Sequence, residues 1–189
     1  MKNKQMWLLL LLIALGHIPK LQAQSSIKDV PSKNWEFATD LLPLIGKQTD
    51  PGVGLMLKRH YLKDTKARAW RFKFNPSFIG AATSIVQSGA SIGIGYEWRK
   101  VDSKFIWLYG SDYIVSIFNS SQPSTTITYL YLNPFIGAQY RIDRHWAVSL
   151  ESHLSIRAAW ISGDNRPTDF GFSGRLIPIQ AINFSYFLK

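Results

Sequence analysis

Cysteine is absent from all 189 residues. That removes disulfide staples, thiol chemistry and a lipid-modified cysteine from consideration, and an exported chain without cysteine has nothing to oxidise in an oxidising compartment. Long apolar runs are missing after Leu15: nothing beyond it approaches the roughly 20 residues that a membrane-spanning helix needs. A helical period is missing from the same stretch, whereas period-two alternation recurs throughout it. Ligand spacing is missing from His17, His60, His145 and His153. Gly93-Ile94-Gly95 sits inside an alternating run, where it reads as packing room and not as a phosphate loop. No metal or cofactor is therefore expected.

Acidic residues are also scarce, 12 against 22 Lys and Arg, for a formal charge of +10. The start of the chain has the order of an export signal. Lys2 and Lys4 precede an apolar stretch from Trp7 to Leu15, and Leu21-Gln22-Ala23 offers a small residue before a cut. Residues 1–23 are read as a signal peptide, with an uncleaved anchor as the rival, 24–33 as a periplasmic segment and 34–189 as one barrel domain. Lys2, Lys4 and Lys20 would leave with the signal, so the mature chain carries 10 − 3 = +7. A basic exported surface meets anionic lipid headgroups and lipopolysaccharide phosphates; nucleic acid is not expected as a partner.

What the chain does have is a repeated turn. Lys63-Asp64-Thr65-Lys66, Val101-Asp102-Ser103-Lys104 and Ile142-Asp143-Arg144-His145 lie about 40 residues apart, each soon followed by Trp70, Trp107 or Trp146. Each joins two alternating runs, the pattern of a membrane β-hairpin. Eight strands are expected at 35–42, 53–61, 68–75, 90–99, 105–118, 126–141, 146–161 and 172–188, with the small and polar stretch from Ser77 to Ser88 as a loop. Further loops are read at Leu44 to Asp50, Asn119 to Ser124 and Gly163 to Asp169. The first four strands are near the 9–11 residues that a tilted strand needs to cross hydrocarbon. The last four are longer and should form a protruding one-sided sheet with edges open to a protein partner. If directions alternate, one end of every strand carries an aromatic: Trp35, Tyr61, Trp70, Trp98, Trp107, Tyr140, Trp146 and Tyr186. Such rings prefer headgroup depth, so these eight are read as a periplasmic girdle.

Alternation places Glu36, Asp40, Lys58, His60, Arg71, Lys73, Glu97, Arg99, Asp112, Gln139, Arg141, Glu151, His153 and Arg157 on the opposite, inward face. An eight-stranded barrel is just wide enough for side chains to fill, so a buried polar network that plugs the lumen is the first reading. A charge-lined conducting path is the second. Glu151, His153 and Ser155 share one face of one strand and supply the carboxylate, base and hydroxyl of acyl-transfer chemistry. Neighbours two apart on a strand are about 6.6–7 Å apart along the backbone, so contact between them needs favourable rotamers.

Taken together, the chain resembles the small outer-membrane β-barrels of the OmpA-transmembrane-domain and OmpX type. The resemblance rests on Gly95-Tyr96-Glu97-Trp98-Arg99-Lys100, on Phe135-Ile136-Gly137-Ala138-Gln139-Tyr140-Arg141-Ile142, and on the terminal Asn183-Phe184-Ser185-Tyr186-Phe187-Leu188-Lys189. It implies an all-β, eight-stranded, antiparallel, up-and-down barrel in a bacterial outer membrane, with both termini periplasmic. In that family the last strand typically ends on an aromatic; here Leu188 and Lys189 follow Phe187. Members serve as anchors, adhesins, narrow pores or enzymes, so function does not transfer with the fold. The expected role is non-enzymatic: membrane integrity, surface interaction or a subunit of a larger assembly. His153-Leu154-Ser155 also resembles the His-x-Ser motif of outer-membrane lipid A deacylases, which would make Ser155 the nucleophile and His153 its base. In those enzymes the site faces lipid, whereas alternation here faces the three residues inward. A soluble ligand-binding barrel is the structural rival. The apolar outer faces Trp70-Phe72-Phe74 and Ile92-Ile94-Tyr96-Trp98 argue against it.

Overall fold

A computed structural model describes residues 35–42, 54–63, 66–79, 87–102, 104–121, 124–163 and 166–188. The signal peptide at 1–23, the segment 24–33, the loop from Leu44 to Asp50, the turn residues Asp64, Thr65 and Ser103, and the tips at 122–123 and 164–165 lie outside the described residues.

Period-two sequence becomes eight antiparallel strands: β1 (Trp35–Asp40), β2 (Leu55–Lys63), β3 (Lys66–Ile79), β4 (Gln87–Asp102), β5 (Phe105–Ser121), β6 (Ser124–Arg141), β7 (Trp146–Gly163) and β8 (Arg166–Leu188). Each pairs with the next in sequence, and β8 returns to β1 to close the ring. The closing seam runs from Trp35 opposite Leu188 to Asp40 opposite Asn183. Closure pairs the edges where β1 meets β8, while above Asn183 β8 pairs only with β7 among the described residues. The β6–β7 turn shows how an Asp makes the reversal tight. Asp143 Oδ1 accepts from the backbone N–H of His145 (2.5 Å) and of Trp146 (2.8 Å). Ile142 N–H donates to Trp146 O at 2.9 Å. This is an Asx turn, in which the side chain stands in for a backbone acceptor.

The strand lengths are unequal. β1 has 6 residues and β2 has 9, while β5 to β8 have 17, 18, 18 and 23. β3 and β4 have 14 and 16, so the expected excess of the last four strands holds against β1 and β2, while β4 exceeds the expected 9–11 and nearly equals β5. The expected loop from Ser77 to Ser88 is shorter at both ends: β3 runs to Ile79, β4 begins at Gln87, the two pair out to Ile79 opposite Gln87, and 80–86 lie outside the described residues. The reason is tertiary. Gln87 to Gly89 also pair with β5 on their other side, and two-sided pairing outweighs the weak strand propensity of Ser and Gly. Pro76 is tolerated in β3 because it lies beyond Phe74, the last residue of β3 paired with β2 among the described residues. In β8 the pairing with β7 shifts between Glu151 opposite Ala181 and His153 opposite Ile177. Pro178 sits in this bulge, where its missing N–H breaks no ladder bond. The shift resolves the facing of the last strand: Gln180 and Ala181 are both buried, and above them Arg175 and Ile177 lie opposite the inward Ser155 and His153.

The barrel is narrow enough that two inward positions require glycine. A Cβ on Gly95 would collide with the Asp112 carboxylate and lie 2.9 Å from Ser111 O. A Cβ on Gly110 would run into the backbone carbonyl of Tyr96 and come within 2.9 Å of the Phe135 ring.

Candidate functional site

The barrel interior is polar. Alternation turns Glu36, Lys58, Arg71, Glu97, Asp112 and Glu151 toward the axis, and all six are fully shielded from solvent. Arg71 on β3 stands at the centre. Its Nη1 donates to Glu97 Oε2 at 3.0 Å and its Nη2 to Glu151 Oε2 at 2.7 Å. Its Nε lies 3.3 Å from Asp112 Oδ1, close enough for an ion pair although not aligned as a hydrogen bond. The guanidinium also caps the Phe135 ring at 4.0 Å, a cation–π contact made out of reach of bulk solvent. Lys73 Nζ donates to Asp112 Oδ2 at 2.5 Å. Lys58 Nζ donates to Glu97 at 3.0 Å and stands 3.6 Å from Glu36. Arg99 joins Glu97 through Nε and Glu36 through Nη2, the latter at 2.8 Å. Gln139 Nε2 donates to Glu36 Oε1 at 2.8 Å, and His60 Nε2 lies 2.9 Å from Glu36 Oε2.

Lys58, Arg71, Lys73 and Arg99 thus face Glu36, Glu97, Asp112 and Glu151 in equal number, each cation bridging to at least one carboxylate. A single unpaired charge in this setting would cost several kcal/mol; a closed, balanced network avoids that. Asp40 sits at the seam, where Oδ1 accepts from the N–H groups of Leu42 (3.0 Å) and Ile182 (3.2 Å). Arg141 and Arg157 also have inward parity, but they occupy opposite ends of the barrel. Arg141 lies over Phe187 at 5.9 Å, and Arg157 lies over Tyr129 at 5.1 Å.

The catalytic-looking group is partly assembled. His153 Nε2 lies 3.1 Å from Glu151 Oε2, and its ring stacks on Phe135 at 5.4 Å. Its Nδ1 is buried with no hydrogen-bond partner, so no Ser155 to His153 hydrogen bond forms through it. All three of Glu151, His153 and Ser155 face inward and are buried. Glu151 is committed elsewhere, to Arg71 and to Asn183 Nδ2 at 3.2 Å. Among the described residues no group of three or more His, Cys, Asp or Glu is placed to hold a metal.

The outside is inverted in polarity. Every strand exposes a large apolar side chain: Phe37, Leu55, Phe72, Ile94, Tyr113, Ile136, Leu150 and Leu176, in order from β1 to β8. Ile136 in mid-strand is 68% exposed. The eight expected girdle aromatics all have outward parity and lie toward the end that carries the β2–β3, β4–β5 and β6–β7 turns. They contact one another and their neighbours. Trp98 stacks on Tyr109 at 5.6 Å, Trp70 meets Tyr96 edge-on at 5.2 Å, Tyr140 lies 5.0 Å from Phe105, and Trp146 lies 4.6 Å from Tyr186. Tyr61 OH donates to Tyr96 OH at 2.7 Å, and Arg59 covers Trp35 at 5.6 Å. Trp107 is 55% exposed.

Sequence reasoning passed over several inward residues. Ser91 and Ser116 bond across β4 and β5 at 2.7 Å. Asn133, Ser149, Asn183 and Ser185 are also buried. Their parity was visible, but small uncharged residues give no signal by composition. Tyr131, Ser173 and Arg175, which line a cavity with Ser155 and Arg157, were also missed; Tyr131 is in phase with buried Asn133 and Phe135 on β6, and Ser173 and Arg175 are in phase with Ala181 and Asn183 on β8.

The chain matches no protein-family model, and no curated protein matches it.

Proposed function

We propose that this chain is a non-enzymatic outer-membrane barrel of the small OmpA and OmpX type, its lumen closed by paired charges, acting in membrane integrity or surface interaction. The observation that carries the reading is the inversion of polarity. Charged side chains fill the core, while every strand turns a large apolar residue outward. A water-soluble monomer rarely exposes a continuous apolar belt, whereas a bilayer demands one. The aromatics at the turn end suit a headgroup layer, and Lys66, Lys100 and Arg144 at or beside the same turns suit anionic lipid or lipopolysaccharide. The longer strands β5 to β8 would stand above the far leaflet, as a wall able to meet a protein partner. On this reading residues 1–23 are an export signal and both termini lie in the periplasm.

The test is an outer-membrane fraction run on an SDS gel with and without boiling. A band in that fraction whose mobility shifts on heating supports the reading. A soluble, unshifted band would return the chain to the enclosed, ligand-binding barrels.

A hydrolase built on Ser155, His153 and Glu151 keeps one point in its favour: Ser155 borders a cavity. It also needs His153 Nδ1, not Nε2, to take the serine proton, because Nε2 faces Glu151. The non-enzymatic reading predicts that deleting the gene, or making His153→Ala, leaves the lipid A acyl count unchanged. A changed mass spectrum in both would replace it with the hydrolase.

A further inference from the structure

The apolar outer face is not of even height. On β7 its large side chains run from Trp146 through Leu150 and Leu154 to Trp160, and on β8 from Tyr186 through Leu176 to Phe172 and Phe170. All of these are exposed, Phe172 to 72%. Register sets the upper ones side by side. Trp160 lies opposite Phe170 and Ala158 opposite Phe172, and the Trp160 and Phe170 rings are 5.4 Å apart. Above them the face turns polar: Ser162, the next outward residue on β7, is exposed. On β5 and β6 the exposed apolar side chains stop sooner, at Ile117, 10 residues from Trp107, and at Leu130, 10 from Tyr140. On β4 they stop at Ile92, 6 residues from Trp98, with only Ala90 and Ser88 outward beyond it.

A strand that rises about 3.3 Å per residue and tilts by about 40° climbs about 2.5 Å of membrane depth per residue. Trp146 and Trp160 are 14 residues apart, as are Tyr186 and Phe172. Each pair is then separated by about 35 Å of depth. The apolar band of such a barrel is about 25 Å tall, and hydrocarbon plus both headgroup layers measures about 40–45 Å. A spacing between these two puts one ring of each pair in each headgroup layer. We infer that Trp160, Phe170 and Phe172 form a second aromatic anchor, seated among the lipid headgroups of the far leaflet on the β7–β8 side of the barrel. The inference rests on the membrane reading. Lipid is the occupant because the patch continues the apolar belt through Leu154 and Leu176, ends where the face turns polar, and stands at the height that the near girdle sets. An indole ring also prefers this depth. The grip is one-sided, since β4 carries small residues where β7 and β8 carry rings. On the gripped side the wall of longer strands clears the headgroups only beyond Trp160 and Phe170.

The chain has no cysteine, so one substitution gives a single attachment point for a nitroxide label. Phe172→Cys tests the anchor, Ile136→Cys reports the middle of the belt and Ser162→Cys the polar face above. Each labelled full chain is folded into phospholipid vesicles, with retained heat-modifiability on gels as the check of folding. Depth is read from relaxation by oxygen, which concentrates in hydrocarbon, against relaxation by a water-soluble nickel chelate. The expected result is that oxygen dominates at 136, nickel dominates at 162, and the label at 172 falls between them. Nickel dominance at 172 equal to that at 162, with oxygen still dominant at 136, overturns the anchor and leaves the membrane reading standing. Oxygen dominance at 172 equal to that at 136 also overturns it, by placing the ring in hydrocarbon. Nickel dominance at all three positions overturns the membrane reading and the anchor together. Phe170→Cys, the next outward position on β8, gives the same reading should the label at 172 prevent folding.

Discussion

Arg71 reaches Glu97, Glu151 and Asp112 at once from a site fully shielded from bulk solvent. Arg71→Met would leave those carboxylates short of one cation in the lumen. Removing one partner of a buried ionic group costs about 3–5 kcal/mol, and the loss should appear as a lower midpoint in denaturant unfolding of the detergent-solubilised barrel. Arg71→Lys should recover only part of it, because an ammonium cannot span three acceptors as the planar fork does. Gly110→Ala presses a methyl group against the Tyr96 carbonyl and the Phe135 ring, and overpacking of this kind costs about 1–3 kcal/mol. An unchanged midpoint for either variant would mean that the lumen is wetter or looser than described. The charged residues of the network were legible in the sequence, because alternation alone separates Lys58 or Glu97 from their outward neighbours. Their partners were not. Arg71 and Glu151 are 80 residues apart, and only ring closure and strand register bring them together.

The eight strands were legible because each obeys period two and each short turn carries an Asp. Their lengths were less so. Gln87 to Gly89 have little intrinsic strand preference and extend because β3 and β5 pair with them, and their pairing carries Ser77 to Ile79 on past Pro76. The upper part of β8 was the hardest. One bulge at Pro178 shifts its pairing with β7, and a bulge leaves no mark in alternation. The shift is of two residues, so Ser173, Arg175 and Ile177 keep the inward parity of Ala181, Asn183 and Ser185, and alternation carried up from the end of β8 would have placed them. The outward face of β4 supplies a test at this scale. Ile94 lies in mid-strand and is exposed. Ile94→Arg should destabilise the barrel in a bilayer by about 2–4 kcal/mol, the cost of a cation near the midplane. In a soluble barrel the same exposed substitution would move stability by no more than about 0.5 kcal/mol. Unfolding of both chains from lipid vesicles separates the two.

At mid-barrel the described residues place a balanced set of charges inside and large apolar side chains outside. Pairing of Lys58, Arg71, Lys73 and Arg99 with the four central carboxylates leaves no free charge at the core of the network to guide an ion. The chain reconstituted in planar bilayers should therefore be silent; stepwise currents would replace the plugged lumen with a pore. The central claim is that the apolar belt faces lipid, with the aromatics at its margin. The most direct measurement is tryptophan emission from the folded chain in vesicles whose lipids carry bromine at chosen acyl depths. Trp35, Trp70, Trp98, Trp107 and Trp146 lie toward the turn end. The account predicts strong quenching by bromines near the headgroups and weaker quenching by bromines at the bilayer centre. Emission that no bromine position quenches would place the barrel in water and contradict the account.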